Sequence, residues 1–203
     1  MPAGQDDQAN GALRGRQIVV AVCGGIAAYK SAEIVSTLVQ SGATVTVAMT
    51  TEAQKFVAPL TFEALSGRPV RSGTFDLVDS SDPQHITLTE QADLMLVAPA
   101  TANLIAKVAC GLSDDLVSLM IAAAACPVIF APAMNNRMWE NPIAKQNVAK
   151  LRELGYRFIG PDSGWLACRN NGPGRMSEPE DIIAEVTTFL ATTDSTRTPS
   201  KKK

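Results

Sequence analysis

The sequence predicts a three-layer α/β domain on a doubly wound parallel sheet of five or six strands. Three observations carry this. The runs at 17–23, 43–49, 93–98, 127–131 and 156–159 are apolar throughout rather than alternating, as strands covered on both faces must be. Segments with helical spacing separate them, which calls for crossover connections and parallel strands. The chain has 203 residues, 46% of them hydrophobic and 19% charged, enough for one domain with a real core and too apolar for general disorder. The expected strand order is flavodoxin-like (Rossmann-like), 2-1-3-4-5, in which ligands bind beyond the carboxyl ends of the strands.

Each element has its own signal. The first strand ends at Gly24-Gly25, and a helix follows over 26–40 with Ile26, Tyr29, Ile34 and Leu38 at helical spacing. The second strand is β-branched. One or two short helices are expected over 56–65, with Pro59 as a break or first-turn residue. Helices are expected at 101–110 and 114–125, on either side of the loop that contains Gly111. Another covers 141–154 and ends at Gly155, a residue type that terminates helices in the left-handed conformation. The last runs over 179–190, entered through Ser177-Glu178-Pro179. Between them, 160–178 holds four glycines and reads as a long loop of the lid or binding type. Residues 1–15 and 192–203 are polar and aperiodic and are expected to be disordered tails around a domain at 16–191.

Composition excludes several function classes. Twenty acids against 18 bases give a net charge of −2, without the basic stripe that nucleic acid requires. No apolar run reaches about 18 residues, so no membrane partner is expected. Four cysteines with no CxxC pair, and the single His85, leave little material for a disulfide framework or a zinc site, so no metal is assigned. With no basic-then-apolar leader, the expected location is the reducing cytoplasm.

The candidate site residues lie at strand ends. Gly24 and Gly25, with Ile26, form a tight turn or let backbone amides approach a phosphate or ring edge. The spacing is not GxGxxG, which disfavours a dinucleotide. Thr50 can cap a helix or bond a phosphate. Thr101, Ala102 and Asn103 suit the polar edge of a flat ligand, or Thr101 simply caps the next helix. The fourth strand runs into Ala133, Met134, Asn135, Arg137, Met138 and Trp139, where an amide can read a carboxylate between apolar walls. His85 is either a satisfied surface residue or, titrating near neutrality, a proton carrier. Cys23, Cys110 and Cys126 are expected to be buried and inert, whereas Cys168 sits on the glycine-rich segment.

Together, Gly24-Gly25-Ile26-Ala27-Ala28-Tyr29-Lys30, His85-Ile86, Pro132 to Trp139 and Ala167-Cys168 with Gly172-Pro173-Gly174-Arg175-Met176 resemble the homo-oligomeric, flavin-containing cysteine decarboxylases. The third segment matches the family's PxMNxxMW motif at every fixed position. The resemblance covers about residues 15 to 191 and is strongest to the lyases that act on 4′-phosphopantothenoylcysteine. It implies bound FMN and a homotrimer or homododecamer. The implied reaction converts that phosphorylated cysteine amide to 4′-phosphopantetheine and CO2, in coenzyme A biosynthesis, by way of a thioaldehyde and an enethiolate. By the same resemblance His85 is the base of the oxidative half and Cys168 the proton donor of the reductive half. Asn135, Met138, Ala167 and Met176 meet the substrate. Gly24, Gly25, Ile26, Thr50, Phe56, Thr101, Ala102, Asn103 and Ala133 meet FMN. A trimer would let His85 serve the flavin of a neighbouring subunit.

Two departures stand out. Arg169 occupies the place where the family usually has Gly after the lid cysteine. Many bacterial members continue into a synthetase, and this sequence ends soon after its last helix, which is the pattern of a monofunctional enzyme with the synthetase on a separate chain. A peptidyl-cysteine decarboxylase, a non-catalytic FMN-binding regulatory subunit and flavin prenyltransferase are the other readings the resemblance leaves open.

Overall fold

The computed structural model describes residues 11–73 and 84–194, excluding the side chains of 84–87 and Asp194. Five parallel strands form the sheet: β1 (Gln17–Val22), β2 (Thr44–Met49), β3 (Leu94–Ala100), β4 (Val128–Pro132) and β5 (Arg157–Phe158). Their order is β2-β1-β3-β4-β5, the flavodoxin-like order expected. β1 pairs Val20 with Val47 on one side and with Leu96 on the other.

The non-alternating runs have the reason proposed for them. Ile18, Val20 and Val22 face one layer, with Ile34, Val35 and Leu38 of α1 (Ala28–Gln40) and Ile182, Val186 and Leu190 of α8 (Pro179–Asp194). Val19 and Ala21 face the other, with Leu104 and Ile105 of α4 (Ala102–Cys110), Val117 and Met120 of α5 (Leu116–Ala122), and Val148 and Leu151 of α7 (Pro142–Glu153). Each fully buried Leu, Ile or Val contributes about 1.5–3 kcal/mol, so both layers must be filled for β1 to be stable.

The remaining helices follow local chemistry. α2 (Pro59–Ser66) begins with Pro59 in its first turn, and α3 (Gln84–Gln91) leads into β3. α7 stops where Gly155 takes φ 94° and its N–H bonds the Arg152 carbonyl. The sequence missed α6 (Asn136–Glu140), a five-residue helix capped by Asn135, which is too short for a period to show.

Two expectations are corrected. Residues 11–13 are helical rather than part of a tail: Leu13 is buried in the core, and Arg16 pairs with Asp93 at 3.2 Å. At the other end α8 continues to Asp194, past the expected boundary at 191. Residues 1–10 and 195–203, the outer parts of both expected tails, lie outside the described residues.

The larger correction is the segment 160–178. It holds an antiparallel hairpin, β6 (Asp162–Leu166) and β7 (Asn170–Arg175), with Leu166 opposite Asn170. Neither strand has an apolar alternation, so nothing in the sequence announced them. Pairing with each other, and contact with the β4 exit, holds them in place.

Candidate functional site

A cleft of about 900 Å³ lies beyond the carboxyl ends of β1, β3 and β4, roofed by the β6–β7 hairpin. Its floor is built by close backbone approach. A Cβ on Gly24 would strike Glu52 in the turn after β2, so this glycine lets two strand exits close together. A Cβ on Gly25 would meet only Thr101 Cγ2, at 3.8 Å, so here the missing side chain leaves open space in the cleft wall. Ile26 lines the mouth, 61% exposed.

Thr101 caps α4, as one of its two readings held, Thr50 bonds a backbone N–H in the turn after β2 without being a helix cap, and both line the cleft. Thr50 Oγ1 accepts from the Ala53 N–H at 3.2 Å, and Thr101 Oγ1 accepts from the Leu104 N–H at 3.3 Å. Ala102 and Asn103 form the first turn of α4, whose amides have no carbonyl one turn back to bond, and both residues line the cleft. Ala133 follows β4, its N–H bonded to the Ala100 carbonyl at 3.0 Å. Phe56 is the exception. It ends the short 3-10 turn Ala53–Lys55, is half exposed, and is not part of the cleft lining, because Ala53 is the residue that turn buries.

The hairpin brings its residues to the opposite wall. Arg169 closes the turn: its N–H bonds the Leu166 carbonyl at 2.9 Å, and its φ is +61°. That left-handed conformation suits glycine better than a residue with a side chain. Cys168 and Ala167 occupy the tip, both exposed and both lining the cleft. The base of the hairpin is tied to the β4 exit by the Met134 N–H, which bonds the Gly174 carbonyl at 2.9 Å. Gly174 has φ 128°, and a Cβ there would strike the Met134 carbonyl oxygen. Asn135, Met138 and Met176 therefore line the same space as Cys168. The Asn135 Oδ1 accepts from the Arg137 N–H at 2.8 Å, which leaves its Nδ2 as the donor available to a ligand.

His85 lies in the first turn of α3, and its side chain is outside the described residues, as are residues 74–83 before it. The structure therefore brings together the predicted glycine turn, Thr50, Thr101–Asn103, Ala133–Met138 and the Cys168 hairpin. Phe56 is not part of that gathering, and the His85 side chain lies outside the described residues.

The cleft also contains charged residues the sequence reading did not assign. On the floor, Lys107 Nζ donates to Asp114 Oδ1 and Asp115 Oδ2, both at 2.6 Å. Bonds to Asp114 and Asp115 hold the Lys107 ammonium above its usual range. Burial alone would raise the Asp115 carboxyl, but its bonds from Lys107 and Ser118 outweigh that and hold it low. At the foot of the hairpin, Lys30 donates to Glu178 Oε2 at 2.6 Å, and Arg175 donates to the other carboxylate oxygen. Trp165 adds an exposed ring to the rim. Of these pairs, Lys30–Glu178 joins residues 148 positions apart, which spacing could not reveal.

The other cysteines divide. Burial pushes the Cys23 thiol up to about 12, so it stays protonated at the cleft floor. Cys126 is half-buried and raised by the same cause. Cys110 was expected to be buried and is exposed, at the last residue of α4.

The model of the flavoprotein family matches residues 7–191. The chain belongs to that family. Two curated relatives of this flavoprotein are coenzyme A biosynthesis bifunctional proteins CoaBC. That of Vibrio cholerae is 46% identical over 179 residues, covering 88% of this chain and 45% of the relative. That of Bacillus subtilis is 47% identical over 171 residues, covering 84% and 42%. The chain thus spans less than half the length of the curated relatives it matches. Among solved structures, a cysteine-to-serine mutant of PPC decarboxylase complexed with pantothenoylaminoethenethiol superposes with a TM-score of 0.79 at 31% identity, covering 88% of this chain and all of that one. The FMN binding protein AtHal3 superposes with a TM-score of 0.77 at 32% identity, covering 88% and 98%. No described helix is long and apolar enough to cross a membrane.

Proposed function

We propose that this flavoprotein carries out the FMN-dependent decarboxylation of 4′-phosphopantothenoylcysteine to 4′-phosphopantetheine and CO2, in coenzyme A biosynthesis. The observation that carries the reading is one cleft with a glycine floor, the Asn135–Met138 wall and a hairpin bearing Cys168 across from it. The PPC decarboxylase and CoaBC relatives support the substrate. AtHal3 supports FMN.

The residues present suit a flavin. The space left by Gly25, the free first-turn amides of α4 and the hydroxyls of Thr50 and Thr101 offer donors beside an open wall, and no bulky side chain fills it. Bound FMN supplies the two-electron exchange with the thiol-bearing carbon of the substrate. The chain's own groups do the rest. The Asn135 Nδ2 donates to the substrate carboxylate and fixes it for departure as CO2, with Met138 and Met176 as apolar walls that favour loss of the charge. His85 takes the proton released when the thiol-bearing carbon is oxidised. Cys168 gives a proton to the carbon of the enethiolate left after CO2 departs. The hairpin over the cleft keeps water from doing so first.

The assembly is proposed as a homotrimer or a multiple of it, in which α3 brings His85 to a neighbour's cleft. Exposed Ile26, Tyr29, Phe56 and Leu60 supply apolar surface for such contact. The proposed location is the cytoplasm. The test is incubation of purified protein with 4′-phosphopantothenoylcysteine and, separately, with a peptide ending in cysteine. The expected products are CO2 and 4′-phosphopantetheine from the first and none from the second. Turnover of the peptide alone would reassign the substrate.

A further inference from the structure

Among the described residues three cations line the cleft, Lys30, Lys107 and Arg175, and they are not equivalent. Lys107 faces two carboxylates, Asp114 and Asp115, so its charge is more than balanced. Lys30 and Arg175 share one, Glu178, so the foot of the hairpin keeps an excess positive charge. Lys30 is the buried partner, 9% exposed, and holds Glu178 Oε2 at 2.6 Å. Its bond holds the Glu178 carboxyl below its usual range, so that carboxylate is already committed to Lys30. Arg175 is the exposed partner and spends one nitrogen, Nη2, on Glu178.

The rest of the Arg175 guanidinium has a prepared bed. Gly164 on the facing strand has no side chain, and a Cβ there would meet Arg175 Nη1 at 3.1 Å and Cδ at 3.2 Å. The glycine thus lets the arginine lie along the hairpin at the cleft edge. Trp165, the next residue along that strand and 65% exposed, also lines the cleft. A forked donor with spare N–H groups, in a cleft that Trp165 also lines, matches a ligand with an apolar arm ending in a phosphate monoester.

We propose that Arg175, laid across Gly164, is the anchor for a phosphate monoester in this cleft, and that the phosphate is the substrate's rather than the flavin's. Lys30 is the positioning residue that keeps Glu178 from cancelling the Arg175 charge. The inference rests on the proposed function for its substrate, and it accounts for how a phosphorylated cysteine amide is told from an unphosphorylated one.

The experiment uses the flavin-loaded protein and the variants Arg175→Ala, Arg175→Lys and Gly164→Ala. Turnover is compared on 4′-phosphopantothenoylcysteine and on pantothenoylcysteine, which lacks the phosphate. Calorimetry compares 4′-phosphopantetheine with pantetheine, and the flavin content is read from absorbance after denaturation. Arg175→Ala is expected to lower the preference for the phosphorylated compound about ten- to hundredfold, through KM. Arg175→Lys should restore part of it, since charge returns without the fork. Gly164→Ala keeps the charge but displaces it, and should lower the preference by less. An unchanged preference, or equal loss on both compounds, overturns the proposal. Loss of FMN from Arg175→Ala, with substrate preference intact, assigns Arg175 to the flavin phosphate and overturns it as well. If the wild-type protein turns over neither compound, the proposed function fails, and the calorimetric comparison still decides the role of Arg175.

Discussion

The floor of the cleft and its roof are built by opposite means. The floor is the end of a buried parallel sheet, where Cys23, Ala98 and Ala131 have almost no exposure and both faces of each strand are packed. The roof is a hairpin whose residues are mostly exposed, held by its own ladder, by the Met134–Gly174 bond and by the Lys30–Glu178–Arg175 cluster. A floor of that kind fixes a ligand's position with groups that cannot move independently. A roof of that kind has a few specific ties, so it can open without disturbing the sheet. The proposed chemistry divides along the same line: the floor holds the flavin, and the roof supplies the closing proton and the phosphate anchor.

If the division is right, damage to the roof should change the product while damage to the floor changes the protein. The largest expected effect is that of His85→Asn, which should lower turnover about 10²–10⁴-fold with flavin retained. Retention of most turnover in that variant assigns His85 a structural role only.

Next comes the floor. Gly24→Ala places a methyl group against Glu52 and should lower stability by about 1–3 kcal/mol, with weaker flavin binding. Thermal unfolding and flavin release measure both. A stable variant with normal flavin would mean that the two strand exits can part freely.

A smaller effect is expected at the tip. Arg169 holds a left-handed conformation that costs an ordinary residue roughly 1–2 kcal/mol, and glycine gives back about 0.5–1 kcal/mol of that in chain entropy. Arg169→Gly should therefore stabilise the hairpin by no more than about 1 kcal/mol. Hydrogen exchange at the hairpin amides reads this. Faster exchange in the glycine variant would show that the arginine side chain, not the backbone, secures the turn.

The smallest effect is a pH dependence at the roof. Bonding to Lys30 depresses the Glu178 carboxyl below its usual 4.5, so the tie is present above that value and is lost as pH falls through the depressed one. Protease access to the hairpin should rise only there. A rise between pH 5 and 7 would mean that another group governs opening.

The same contrast explains what the sequence could show. The floor was legible because continuous burial leaves continuous apolar runs, and because glycines between a strand and a helix have few other uses. Its helix cap at Thr101, the first-turn Pro59 and the stop at Gly155 all follow from local chemistry. The roof was legible only as composition. Asp162–Leu166 and Asn170–Arg175 include three glycines and a proline, and they pair because Arg169 turns the chain, which no propensity marks. Lys30 with Glu178 was out of reach for a different reason: the partners stand 148 residues apart, and only the fold brings them together.

The most direct test of this division is anaerobic single turnover by Cys168→Ser, which keeps the size of the side chain but replaces the thiol with a far weaker acid. Product mass and flavin absorbance are followed together. With the floor intact, CO2 should still be released, and the product should remain as the unsaturated enethiol, two hydrogens short of 4′-phosphopantetheine, while the flavin stays reduced. Formation of 4′-phosphopantetheine at the normal rate with reoxidised flavin would contradict the account, because the roof would then supply no proton.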